Sequence, residues 1–133
     1  MREILFRSKR LDNGEWVYGA LLNTDDGKTR IATSYLGKFD PLMPVTVCTY
    51  LVNPDSGGQF TGLYDKNGVQ IFEGDIVMKR TYNGKKPFCV RFLSGCFHCG
   101  WGGGSSTARH PYTIDDNQIQ VIGNIHDNPE LLS

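Results

Sequence analysis

The stretch LYDKNGVQIFEGDIVMKR, residues 63–80, decides the fold. Asn67-Gly68 favours positive φ at both central positions of a type I′ turn, so Leu63-Tyr64 and Val69–Ile71 are predicted to pair as a tight hairpin. Gly74-Asp75 then bends the chain into a second strand, Ile76–Thr81. An Asp that follows Gly where a strand begins can accept backbone amides and hold such a turn. Downstream, TYNGKK (81–86) carries another Asn-Gly pair. The strand Pro87–Leu93 follows, in which Phe88, Val90 and Phe92 alternate with Cys89, Arg91 and Leu93. QIQVIGNI (118–125) closes the set, and Asp127-Asn128-Pro129-Glu130 reads as the cap and first turn of a short terminal helix, proline suiting the first helical position.

Upstream the same alternation recurs. EWVYGALL (15–22) suits a strand buried on both faces or bulged at Gly19. TRIATS (29–34) and PVTVCTYLV (44–52) read likewise, and Cys48 in the latter is expected to be a small buried hydrophobe. LNTDDGK (22–28), with its Asp-Gly, and KFDPLMP (38–44) supply the turns between them. No segment shows a sustained 3.6-residue apolar period, so the expected class is mainly β. Short strands joined by tight turns point to a small barrel or sandwich. The expected arrangement is an SH3-like or related barrel in the second half (59–126), an N-terminal β lobe (1–58) and a short C-terminal helical turn. At 133 residues the lobes fit within one domain.

The runs FTGLYDKNGVQIFEGDIV (60–77), REILFR (2–7), EWVYG (15–19) and VIGNIHDNPELL (121–132) together resemble the YopX-type family of small phage and prophage proteins. Where members of that family often have Trp-Asp after the opening Phe-Arg, this chain has Ser8-Lys9-Arg10. The resemblance implies a phage-encoded, mainly β protein acting in the host cytoplasm. It implies no activity, and no cysteine or histidine pattern belongs to the family.

Chemistry must therefore be sought in the residues. GCFHCGWGGGSS (95–106) brackets a histidine between two thiols, but structural zinc needs about four nitrogen or sulfur ligands. Cys96 and Cys99 would have to recruit Cys89, His98 or His110 at spacings that match no standard knuckle. They are read as loop thiols without a task, ahead of zinc, and no cofactor is expected. Nor does the glycine run carry the Gly-Lys-Ser/Thr of a phosphate loop. No Ser nucleophile with a partner histidine is visible among His98, His110 and His126. Asp25-Asp26 and Asp115-Asp116 sit in turn-like surroundings, and Glu73 and Asp75 have a structural reading. No catalytic constellation emerges.

Charge is patterned more tellingly. Lys and Arg total 14, as do Asp and Glu, yet no acid falls between Ile76 and Ile114. That segment holds Lys79, Arg80, Lys85, Lys86, Arg91 and Arg109, interleaved with Tyr82, Phe88, Phe92, Phe97, Trp101 and Tyr112. Phosphate contacts from Lys79, Arg80, Lys85, Lys86 and Arg91, with stacking on Tyr82 or Trp101, would suit a nucleic-acid strand. The simpler reading makes the aromatics core positions and the cations their wet faces. On balance the chain is expected to be a non-enzymatic interaction or adaptor protein with a phage or host protein as partner, self-association through its N-terminal strands, and no membrane role. No apolar run approaches the roughly 20 residues that span a bilayer, and the opening MREILFRSKR does not read as a signal peptide.

Overall fold

The computed structural model describes residues 3–34, 47–81, 84–93, 95–101, 112–113 and 119–132. Ten strands and one 3-10 turn appear among them, so the class is mainly β as expected. The strands are β1 (Phe6–Arg10), β2 (Trp16–Asn23), β3 (Thr29–Ser34), β4 (Val47–Tyr64), β5 (Gln70–Phe72), β6 (Asp75–Thr81), β7 (Gly84–Leu93), β8 (Cys96–Trp101), β9 (Tyr112–Thr113) and β10 (Ile119–Asn124). Pro129–Leu132 forms the 3-10 turn, with proline at its start as the sequence indicated. No helix among the described residues is long and apolar enough to cross a membrane.

The chain divides into two compact units, Met1–Gln59 and Phe60–Ser133. In the first, β1 pairs with β2, β2 with β3, β3 with β4, and β4 returns to β1, all antiparallel. The pairings thus close a four-stranded ring. β2 changes partner halfway along, its residues before Ala20 facing β1 and those from Ala20 facing β3. Gly19 stands at that switch, where a Cβ would lie 2.1 Å from the Ala32 carbonyl oxygen. Only a residue without a side chain permits so close an approach.

Val52 and Ile31 are buried inside the ring. β4 bulges widely against β1: Lys9 opposes Asn53, but Arg7 opposes Gly58. The extra residues are tied down by hydroxyls. Buried Ser8 and Ser56 lie Oγ to Oγ at 2.9 Å, both reach the Asn53 carbonyl at 2.7 Å, and the Lys9 amide donates to Ser56 Oγ at 2.8 Å. Arg7, also buried, stacks on the Trp16 ring at 4.7 Å.

In the second unit the order is β10-β6-β7-β8-β9, and β5 pairs with the last residues of β4. Its core joins Ile71, Val77, Phe88, Val90, Cys99 and Ile119. The hairpin at Asn67-Gly68 exists, but its loop is wider than the type I′ turn expected. Asp65 N–H donates to the Val69 carbonyl at 2.8 Å and Gly68 N–H to the Asp65 carbonyl at 3.0 Å, leaving a three-residue loop that ends on Gly68 at φ 79°. The cause is the Asp65 carboxylate, whose Oδ1 accepts the amides of Asn67 (2.8 Å) and Val69 (2.9 Å) and so holds the wider loop.

Thr24–Lys28 repeats the device, with Gly27 at φ 78° and Asp26 Oδ1 accepting the Lys28 amide at 3.0 Å. At the second Asn-Gly pair, Thr81 opposes Gly84, so the connecting residues are 82 and 83, which lie outside the described residues. Cys48 is half-buried rather than buried, because β4 there pairs only with Thr33 of β3.

Candidate binding surface on the second sheet

Strand register decides which of the candidate side chains can act together, because side chains alternate between the two faces of a sheet. Cys96–Trp101 is not the loop expected but the strand β8, paired along β7 from Leu93↔Cys96 to Phe88↔Trp101. The alternation that was obscured by glycines is real: Phe97 opposes Phe92, and Cys99 opposes Val90 in the core. Three residues apart on one strand, Cys96 and Cys99 project to opposite faces. Cys96 is exposed, whereas Cys99 is buried and burial pushes its thiol up to about 11.

Cys89, Arg91, His98 and Cys96 share the face opposite Cys99. Burial raises the Cys89 thiol as well, against the hydrogen-bonding Arg91 guanidinium. Metal binding would require thiolates, which both environments disfavour. Among the described residues no group of three His, Cys, Asp or Glu is placed to hold a metal ion. His110 lies outside the described residues.

The cations are sorted by the same rule. Lys79 opposes Lys86 and Arg80 opposes Lys85 across the β6–β7 hairpin. Lys79 and Lys86 fall on the face of Val77 and Phe88, Arg80 and Lys85 on the face of Ile76 and Cys89. Arg91 is on this second face too, hence opposite to Lys79. It is separated from the hairpin tip by Cys89 and Ile76, which are fully buried. Tyr82 lies outside the described residues, and Trp101 is described by its backbone alone. Among the described residues the basic segment is therefore two neighbouring like-charged rungs at one end of β7, with Arg91 apart from them; Arg109 lies outside the described residues.

At the other end of β7 the apolar face of the core runs out into solvent. Phe92 is 52% exposed and packs edge to face on Phe97 at 5.1 Å between centroids. This pair continues the row of Val90 and Cys99 on the same face.

The residues of the 60–77 run have other work. Asp65 is buried, and its Oδ2 also accepts the Val121 amide at 2.9 Å, tying the hairpin to β10. Burial alone would raise its pKa, but the amides of Val121, Val69 and Asn67 outweigh that and hold it below the ordinary carboxylate value. Asp75, likewise buried, accepts the Phe72 amide at 2.7 Å, the turn-fixing role read from its position. Thr61 Oγ1 donates to the Ile71 carbonyl at 2.8 Å. Gly74, at φ 89°, donates its N–H to Val90 O and accepts from Ile125 N, both at 2.9 Å. Sequence reasoning did not single out Asp65: its partners lie up to 56 residues away, and only the Asp at the head of an Asn-Gly hairpin hinted at it.

These structural residues lie within a match to the model of the family described as YopX protein, which extends over residues 5–133. The chain belongs to the YopX family. Within the matched stretch of this YopX chain, Thr61, Asp65, Gly74 and Asp75 hold turns and strands together. The crystal structure of protein EF1440 from Enterococcus faecalis is similar throughout, at 25% identity and a TM-score of 0.59, covering 100% of each chain. No curated protein matches this YopX chain in sequence. In the first unit of the YopX fold, a groove of about 600 Å³ runs past Arg10, Arg30 and Tyr50. Arg10 lies on Tyr50 at 4.4 Å and is held by Asp12 through two hydrogen bonds of 2.9 and 2.6 Å, so its charge is already answered.

Proposed function

We propose that the protein is a non-enzymatic interaction protein that binds a second copy of itself through the Phe92–Phe97 strip. One observation carries this reading: a large aromatic side chain, 52% exposed, extends the apolar face of a buried core into solvent. Aromatic anchors of this kind dominate the energy of protein contacts, and leaving them wet is unfavourable. The formal net charge of zero adds no long-range repulsion between copies. An adaptor role toward a phage or host protein is the wider reading; the family resemblance supports only a phage origin and the host cytoplasm as its setting.

Sedimentation velocity over a range of concentrations tests the contact. The wild-type chain should move as a dimer at the upper end, and Phe92→Asp, which puts a charge where an apolar surface is needed, should stay monomeric with its thermal unfolding unchanged. A wild-type protein that is monomeric throughout, or a Phe92→Asp variant that dimerises as well as wild type, would overturn the reading.

A further inference from the structure

The ring of the first unit is closed by short pairings, and one stretch of β4 is left open on its β1 side. β1 runs along β4 only as far as Arg10↔Val52, because at Leu11 the chain turns back toward β2, Gly14 N–H donating to the Arg10 carbonyl at 3.0 Å. The last contact is from Leu11 N–H to the Leu51 carbonyl, at 3.0 Å. Successive residues of a strand direct their backbone groups to alternate sides, so Thr49, two residues before Leu51, aims its N–H and C=O the same way as Leu51. β3 lies on the other side, with Ala32 opposite Thr49. Among the described residues nothing pairs with Thr49 on the β1 side. This edge borders the groove of about 600 Å³, which Thr49, Tyr50 and Leu51 line together with Arg10, Leu11 and Arg30.

Open backbone groups on a strand edge are a template for an added strand, and the side chains that alternate above and below that edge then set which strand is taken. The two faces here differ. On one, Arg10 lies flat on the Tyr50 ring and is fixed by Asp12, a broad surface that suits an apolar side chain. On the other, Thr49 and Leu51 are exposed, and Leu51 stands opposite Arg30. Arg30 is loosely held, since its contacts with Thr24 and Asp26 are both 3.4 Å, long for a hydrogen bond. Among the described residues the lining sets two guanidinium groups against the one carboxylate of Asp12, so the groove favours an acidic occupant. We infer that it takes an extended peptide segment of a partner protein, added as a strand to β4 at Thr49, with apolar side chains on the Tyr50 face and carboxylates on the Arg30 face. This names a class of partner, and it does not rest on the Phe92–Phe97 contact, which belongs to the second unit.

Fluorescence anisotropy at low salt tests it, with a short labelled peptide of alternating Val and Glu and with counterparts in which Gln or Lys replaces Glu. The Glu peptide should bind more tightly than the Gln peptide and the Lys peptide least. Arg30→Gln should bring the Glu and Gln peptides together. Thr49→Pro removes the outward N–H at an edge position where proline is tolerated, so it should weaken the Glu peptide about tenfold, the worth of one hydrogen bond, with thermal unfolding near wild type. Methylated peptides put the same question to the wild-type chain: blocking the alternate set of peptide nitrogens that faces β4 should abolish binding. No binding of the Glu peptide, Lys binding as tight as Glu, a folded Thr49→Pro chain that binds as wild type does, or binding that survives methylation of either set of nitrogens would each overturn the inference.

Discussion

Asp65 shows how much one carboxylate can organise. It lies out of water, yet it takes three backbone amides, two from its own loop and one from β10. Asp65→Ala leaves those donors unanswered and should destabilise the protein by about 3 kcal/mol, read from urea unfolding. Because the folded state holds this group below its unfolded value, its contribution is fully present above the unfolded carboxylate range near pH 4 and disappears as pH falls through the lower folded value. Asp65→Asn should therefore be less stable than wild type at neutral pH and show a smaller loss of stability on acidification. An Asn variant that tracks the wild-type curve down to pH 2 would contradict this assignment.

At the scale of elements, two glycines separate two kinds of constraint. Gly27 has open space where a Cβ would stand and is needed only for its φ of 78°, so Gly27→Ala should cost about 1–2 kcal/mol, the left-handed penalty. Gly19 has an ordinary strand setting but no room, and Gly19→Ala must drive β2 from β3; a loss larger than that of Gly27→Ala is expected in the same urea measurement. What is legible in the sequence is what short-range signals encode. TRIATS became β3 with its predicted ends, since its alternation and flanking turns are local. CFHCGW did not announce itself as β8, because its pairing partner, not its own composition, makes it a strand. Likewise β4 runs 18 residues, past the predicted end at Val52 and through Pro54, Gly57 and Gly58, because the Ser8–Ser56 hydroxyls accommodate the bulge. Register was wholly illegible, and with it the fact that Lys79 and Arg91 face opposite ways and that Cys96 and Cys99 cannot meet.

For the molecule as a whole, acid sensitivity should be unevenly distributed. Asp12 and Asp26 of the first unit are also held below their ordinary values, by the Arg10 side chain and the Thr24 hydroxyl respectively, but both are on the surface where water screens the benefit. The second unit carries the buried Asp65. As pH falls below about 4, hydrogen exchange should first quicken at the amides of Val69 and Val121, while those of Ile31 and Val52 in the ring stay protected. Simultaneous loss in both units would show that the carboxylate does not set the order. The ring has a further consequence. Its pairings return on themselves, so each described strand of the first unit has two neighbours. Edge-to-edge recruitment of other molecules, the route by which sheets grow into fibres, therefore meets no described strand of the ring that is open along its whole length.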